Sequence, residues 1–257
     1  MQNTRVGVIP KTFAAKPFHE TIGSAFFTHF SLHFGVSQRQ SPVLCRSIFA
    51  FRHKVYCEQL GFEEPNSAGL ERDEWDRTAI HFAISHNKTG KIVACARLLP
   101  ANDAQSLPIA EFCGDEALDL GVHPSQLQSS SACELSRFIV DSEFSSPRAA
   151  IEAGFAEASV AVGQLRYVLA QMTMEYALRA DWPHMFVLSE PRFIRVLRIA
   201  GMPIKAIDDY VNFKGLRRVA YSCVNDFFDA AAPAFMHARQ ILSQHLLEES
   251  QTSLMFG

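Results

Sequence analysis

The sequence predicts a domain of the α/β or α+β class, in which helices flank a mixed β-sheet. Two apolar segments, 79–85 and 91–99, are separated by the turn residues 87–90, which predicts a β-hairpin. Later apolar segments of strand length alternate with segments of helical periodicity, and strands interrupted by helices indicate a mixed sheet. The 257 residues, 48% apolar and 20% charged, are enough for one large globular domain.

The elements before the hairpin are predicted from local signals. The Phe-rich segment 26–34 predicts a helix or loop packed on the core. The alternative is a flap over an acyl pocket or a contact with a membrane surface, but basic residues are nearly absent there. Ser41 and Pro42 predict the start of a helix that ends at Gly61. The polar segment 63–77 is rich in turn residues and predicts a loop.

The elements after the hairpin follow in chain order. They are a strand at 133–140, one long helix from Ser145 to about Ala180, a strand at 184–188, a helix from Pro191 to Gly201, strands at 203–210 and 216–224, and a final helix capped by Asn225. We therefore expect one domain over 41–248, preceded by an N-terminal extension over 1–40 and followed by a polar tail over 249–257.

Composition excludes several classes of protein. The net charge of -3 gives no overall basic field for binding nucleic acid. The six cysteines form no Cys-x-x-Cys pair and have no His at zinc-site spacing, so we expect no metal site and a reducing, cytoplasmic location. No apolar stretch is long enough to span a bilayer, and the N-terminus lacks the layout of a secretory signal.

An acidic cluster lies in the predicted loop 63–77. Glu71, Asp73 and Asp76 repel one another unless a cation lies between them. That cation could be a substrate amine, a metal or an arginine, although the run lacks the layout of a calcium loop. A solvated acidic loop is the structural alternative.

Two arginines lie inside apolar runs and need acidic partners. Arg97 falls in a run that is apolar on both faces and predicts a central strand, and Arg137 has a similar setting. Glu134 precedes Arg137 by three residues, so the two face opposite sides of an ideal strand and each needs a partner from another element. Arg52 on the first helix is a further partner for the acidic loop. A purely structural ion-pair network is the alternative.

An ordered set of short motifs carries a family resemblance. It comprises Arg52 with Tyr56, Leu60-Gly61-Phe62, the acids Glu71, Asp73 and Asp76, Arg97-Leu98-Leu99-Pro100, Phe112, and Glu134-Leu135-Ser136-Arg137-Phe138. The set covers about residues 46–140 and resembles the acyl-homoserine-lactone synthases and long-chain N-acyl amino acid synthases of the GNAT superfamily, with Phe62 replacing a Trp. Residues 211–218 are more similar to N-acyl amino acid synthases and to acyltransferases of PEP-CTERM/exosortase systems.

The resemblance implies a fold and a reaction. The fold is an α/β/α sandwich of the α+β class, whose mostly antiparallel, mixed central sheet has one splayed strand. The reaction moves an acyl group from a thioester to a small amine, with backbone N–H groups of strand 136–140 facing the developing oxyanion. Glu71 and Glu134 are the candidates for removing the amine proton, and Asp73 with Asp76 for positioning the amine. Further expected substrate contacts are Arg52, Tyr56, Phe62, Arg97, Phe112, Ser136, Arg137 and Phe138.

The acyl carrier is inferred from a missing motif. Most GNAT enzymes hold coenzyme A with a glycine-rich loop, and no such glycines follow Val140. We therefore expect acyl carrier protein rather than coenzyme A as the co-substrate carrier, and no other cofactor. Arg192, Arg195 and Arg198 could dock the acidic carrier, or could be a solvated helix face.

The sequence also offers candidate walls for an acyl pocket, and two other functions remain as alternatives. Met172, Met174, Phe186 and Phe193 are expected as pocket walls or as ordinary core. A lactone synthase that uses S-adenosylmethionine and a non-catalytic acyl-binding relative are the alternative functions.

Overall fold

A seven-stranded sheet forms the centre of the protein. The computed structural model describes residues 24–102, 107–128, 131–199, 203–226 and 239–245. Its strands are β1 (Phe30–Val36), β2 (Ile80–His86), β3 (Ile92–Pro100), β4 (Ala132–Val140), β5 (His184–Ser189), β6 (Lys205–Asn212) and β7 (Leu216–Cys223). They lie in the order β1-β2-β3-β4-β5-β7-β6, and every neighbouring pair is antiparallel except the parallel pair β4 and β5. The predicted mixed, mostly antiparallel sheet is confirmed.

Helices cover both faces of this sheet. They are α1 (Ser24–His29), α2 (Pro42–His53), α3 (Asp115–Asp119), α4 (Pro147–Glu152), α5 (Leu165–Arg179) and α6 (Pro191–Ile199). Side chains alternate along a strand, so Phe82 packs with α5 on one face while its neighbour Ala83 packs with α2 on the other. Leu98 and Leu99 divide in the same way between two core clusters. Among the described residues, no helix has the length and apolar character needed to cross a membrane.

The N-terminal Phe-rich segment packs on the core, but part of it is a strand. Phe26 and Phe30 are fully buried, as the core-packing prediction requires. The prediction of a helix or loop is wrong beyond α1, because β1 pairs with β2 at the sheet edge. Pairing with a neighbouring strand can override local sequence preference. These residues of the predicted 1–40 extension are therefore part of the sheet.

The predicted long helix over 145–180 is wrong. The chain forms α4 and α5 instead, and short 3₁₀ turns lie between them. Gly154 ends the first helix at φ +87, a left-handed conformation that favours glycine. The helix predicted after Asn225 falls largely outside the described residues, although 239–245 are helical.

Strands β4 and β5 diverge after a short contact. They pair at three positions, the last of which joins Glu134 to Phe186. Beyond these residues β4 continues to Val140 and β5 to Ser189 without further pairing between them. The second half of β4 is correspondingly less buried than the first. The predicted splayed strand is thus β4, and the opening beside it locates the site.

Candidate active site

A cleft of about 460 Å³ occupies the opening between β4 and β5. It has the size of an ordinary small-molecule site. The predicted site residues that line it are Tyr56, Phe62, Asp73, Arg97, Phe112, Glu134, Ser136, Arg137, Phe138 and Arg192. Arg52, Glu71 and Asp76 are buried and do not line the cleft, while Arg195 and Arg198 lie on α6 away from its lining.

Two buried arginines, one on α2 and one on β3, form ion pairs with the acidic loop. Arg52 of α2 is fully buried and donates to Glu71 through Nε and to Asp76 Oδ1 through Nη1 at 2.7 Å. Arg97 of β3 donates through Nη1 to Asp73 Oδ1 at 2.6 Å and to Asp76 Oδ1 at 2.9 Å. The predicted pairing of buried arginines with the acidic loop is therefore present.

A bulge in β4 places the third arginine of this network. Arg97 pairs with Ser136 and Cys95 with Ile139, which leaves two residues of β4 opposite one residue of β3. Within the bulge Arg137 has φ +51, unusual for a residue other than glycine. Its Nη2 lies 2.9 Å from Glu71 Oε1 and 3.2 Å from an oxygen of Asp73. The bulge thus turns this guanidinium toward the acidic loop.

The acidic loop is also shaped by its own backbone. Asp73 caps the short 3₁₀ turn Glu74–Arg77 by accepting from the N–H of Trp75 at 3.1 Å. In return, Asp76 accepts from the N–H of Asp73 at 2.8 Å. This reciprocal cap orients both carboxylates through hydrogen bonds within the turn itself. Within the described ranges, no group of His, Cys, Asp and Glu is arranged to hold a metal ion.

The paired carboxyl groups are strongly acidic. Burial acts to raise the pKa of Glu71, but hydrogen bonds and charge from Arg52 and Arg137 outweigh it and lower the pKa to about 2. Asp76 has a lowered pKa because Arg52 and Arg97 likewise outweigh its burial. Both groups are therefore ionised at neutral pH and accept a proton poorly.

Glu134 behaves in the opposite way. Burial raises its pKa to about 7, and the backbone N–H of Ile109 with the charges of Arg97 and Arg137 offsets this only in part. That N–H donates to Glu134 Oε2 at 2.8 Å. Among the described residues, no Lys, Arg or His side chain forms an ion pair with it. A carboxyl group that lines the cleft and titrates near neutrality can exchange a proton with a bound molecule.

The cleft connects the two faces of the sheet. On the face that carries α5, its lining consists of core-packed apolar side chains: Leu135, Phe138, Val187 and Phe193. On the opposite face, the lining combines the carboxyl groups with Trp75, Ile109, Phe112 and Leu188. A bound molecule that passes through the gap would therefore meet a polar, aromatic environment on one face and an apolar one on the other.

Sequence reasoning missed the residues at the mouth of the cleft. The β6–β7 turn brings Phe213, Lys214 and Arg217 to the lining. Lys214 forms an ion pair with Glu63, and the Phe213 ring lies 5.1 Å from that of Phe112. The segment 211–218 was singled out by its resemblance, but neither its strand pattern nor its charge indicated contact with the loop after α2.

The predicted acyl-pocket walls are only partly in the cleft. Phe193 lines it. Met172, Met174 and Phe186 are buried in the core and do not line it. Their apolar character is explained by packing of α5 and β5, the alternative that the sequence left open.

Part of the chain matches a known domain family in sequence, and the fold is similar to that of a solved structure. Residues 51–152 match the Acetyltransferase (GNAT) domain family. An acyl-homoserine-lactone synthase of Agrobacterium fabrum is 25% identical over 64% of this chain and 71% of its own, and one of Acinetobacter nosocomialis is 27% identical over 70% and 94%. The crystal structure of TofI in a ternary complex with an inhibitor and MTA has a TM-score of 0.56 at 19% identity, covering 80% of this chain and 99% of that one.

Proposed function

We propose that this chain transfers a fatty acyl group from a thioester to the amine of an amino acid or similar small donor. The proposal starts from the premise that the chain is a GNAT-type acyltransferase related to acyl-homoserine-lactone synthases. The observation that carries this proposal is Glu134, a buried carboxyl group with a pKa of about 7 at the point where β4 and β5 part.

Glu134 serves as the general base. The amine nitrogen attacks the thioester carbonyl carbon, and one of its protons passes to the carboxylate. A base with a pKa near the working pH is the most effective, which favours Glu134 over Glu71. Glu71 instead holds Arg52 and Arg137 in place and acts as a positioning residue.

The oxyanion is stabilised by the backbone of β4. Beyond Glu134 this strand has no partner on the side of β5, so N–H groups in residues 136–140 are available to the cleft. When the intermediate collapses, the C–N bond is retained, the C–S bond breaks, and the proton held by Glu134 returns to the leaving thiolate. Ser136 accepts a hydrogen bond from Arg97 Nε at 3.1 Å, which leaves its own O–H free to donate to substrate.

The amine donor binds on the polar face of the cleft. Of Glu71, Asp73 and Asp76, it is Asp73 that reaches the lining, with its oxygens bound to Arg97 and Arg137, whereas Asp76 is buried away from the cleft. Asp73 therefore positions the amine, and Asp76 supports Arg97. Four aromatic side chains form the walls of this part of the cleft: Tyr56, Phe62, Trp75 and Phe112.

Acyl carrier protein is the proposed acyl carrier. The helix after β4 begins at Ser146 and Pro147 without glycine, which disfavours a coenzyme A loop. Arg192, Arg195 and Arg198 are exposed on α6, which starts at the cleft. An acidic carrier docked there would present its thioester to the opening.

All six cysteines are free, which supports a reducing, cytoplasmic location.

A lactone synthase that uses S-adenosylmethionine is the second candidate function. It is favoured by the two relatives, both named acyl-homoserine-lactone synthases, whose similarity covers 64% and 70% of this chain. The same base and oxyanion groups would serve that reaction, so the candidates differ in the amine and not in the acyl transfer.

One experiment separates these candidates. The purified protein is incubated with acyl carrier protein or coenzyme A thioesters and with each amine in turn, and the products are identified by mass spectrometry. An N-acyl amino acid supports the proposal, whereas release of methylthioadenosine supports the lactone synthase. Lipid extracts of cells that express the chain or its Glu134→Gln variant provide the control. Lipid profiles that do not differ, with no product in vitro, would contradict acyl transfer.

A further inference from the structure

A pair of aromatic rings spans the apolar end of the cleft. Phe138 is the second residue of the bulge in β4, and Phe193 lies in the first turn of α6, the helix that follows β5. Their ring centroids are 5.2 Å apart at an interplanar angle of 58°. Because β4 and α6 lie on opposite sides of the gap, the two rings meet across it, and both contribute to the lining.

The ring pair packs against the hydrophobic core. Both rings pack against the large core cluster on the α5 face. In that cluster, Ile194 is 3% exposed and Leu197 is 1% exposed. Protein interiors of this kind have close-packed side chains and few voids. A flexible chain that enters the apolar half of the cleft therefore reaches a barrier at these two rings.

We propose that the Phe138–Phe193 ring pair sets the longest acyl chain that the cleft accepts. The inference rests on the proposed function and adds a specificity determinant to it. The volume of about 460 Å³ is shared by the amine, the thioester and the chain, so the alkyl portion is confined. A single methylene in a confined apolar pocket changes specificity by about 10- to 200-fold.

The position of Phe138 links chain length to the catalytic geometry. The β4 bulge that turns Arg137 toward Glu71 also contains Phe138. Phe138 therefore cannot move without disturbing the guanidinium that holds the acidic loop. Phe193 is on a separate element and lacks this link, which makes it the residue of the pair to vary.

The test compares kcat/KM for saturated acyl thioesters from six to eighteen carbons in the native protein, Phe193→Ala and Phe193→Trp. Removing the ring in Phe193→Ala should increase the length of the longest well-used acyl chain by about two to four carbons, because the vacated space accepts methylenes. The larger Trp ring should move the limit downward. Equal length profiles for the native protein and both variants would overturn the inference.

Phe155→Ala is the matched control. Phe155 is a partly buried ring on the same core cluster, with its centroid 4.6 Å from that of the Phe144 ring, and it does not line the cleft. Its loss should lower thermal stability to an extent comparable with Phe193→Ala while leaving the length profile unchanged. A shift of the profile in this control would show that general loosening of the core, and not the ring pair, governs chain length.

Binding of fatty acids separates this inference from the proposed function. Calorimetric titration with the sodium salts of straight-chain fatty acids of six to eighteen carbons needs no turnover. A native length limit that rises in Phe193→Ala supports the ring pair even if no acyl transfer is found. Acyl transfer with the same limit in both proteins, or fatty-acid binding with no dependence on residue 193, would overturn the inference and leave the proposed function intact.

Discussion

Glu71 of the acidic loop and Glu134 of β4 are two buried carboxyl groups of one site that behave in opposite ways. Their exposures are alike, at 5% and 8%. Their pKa values are about 2 and about 7. Burial alone raises a carboxyl pKa, so the difference comes from their partners. Glu71 accepts from two arginines, whereas Glu134 accepts from one backbone N–H.

The comparison distinguishes an ion-pair network beside the cleft from a carboxyl group in the cleft lining whose pKa is near neutrality. Three carboxylates and three guanidinium groups balance each other in the loop network, and the arginines lower the pKa of Glu71 and of Asp76, which stay ionised at neutral pH. Glu134 lies outside this balance and can change its charge during a reaction. Four measurements test this division.

The largest effect is expected from Glu134→Gln. The amide keeps the size of the side chain and can accept from Ile109, but it cannot take a proton. We expect kcat to fall by about 10²- to 10⁴-fold with little change in KM, as for the loss of a general base. Steady-state assay of amide formation is the measurement. If Glu71→Gln loses as much kcat while its thermal stability stays at the native value, the division of roles is wrong.

Breaking the network should cost stability more than any other change at the site. Arg52→Met removes the fully buried guanidinium and leaves Glu71 and Asp76 without their main partner. We expect unfolding free energy at pH 7 to fall by about 3–5 kcal/mol, as for one partner of a buried ion pair. Denaturant titration measures it. Arg148→Met, which breaks an exposed pair with Glu152, is the control and should change little.

Glu134→Gln should also alter the pH dependence of stability. Between its ordinary pKa of 4.5 and its folded pKa of about 7, the unfolded chain releases the Glu134 proton and the folded protein retains it. Native stability therefore falls by about 3 kcal/mol as the pH rises through this window. The variant lacks this loss, so its melting temperature relative to the native protein should be higher at pH 8 than at pH 4.5. An unchanged difference would mean that Glu134 is not desolvated.

The smallest expected effect concerns carrier docking. Arg195 is exposed on α6 and does not line the cleft. Arg195→Glu should raise KM for acyl carrier protein severalfold, without altering kcat, because a rim charge changes mainly encounter with a charged partner. The effect should weaken at high salt. An unchanged KM would exclude docking at this position.

Much of the sheet could be predicted because its signals are local. The β2–β3 hairpin followed from two apolar runs around Asn87 and Gly90, and both strands formed as expected. The helix 145–180 could not be predicted correctly, because most of its residues are good helix formers and only Gly154 and Gly163 indicated a break. β1 was missed because pairing with a distant segment determined its conformation.

The site was predictable to the extent that burial of charge demands a partner. Arg97 in an apolar strand required an acid, and the acidic loop supplied Asp73. The sequence did not show in the same way that Glu134 is the carboxyl group without an arginine partner. Whether Glu134 meets an arginine or the N–H of Ile109 depends on the bulge and on a loop distant in sequence.

The most direct test of this account is a ¹³C NMR titration of glutamate-labelled protein, with Glu134→Gln and Glu71→Gln used to assign the two carboxyl resonances. The account predicts that the Glu134 resonance titrates with a midpoint near pH 7, while that of Glu71 does not titrate above pH 4. A Glu134 midpoint below pH 5, or a Glu71 resonance that titrates near neutrality, would contradict it.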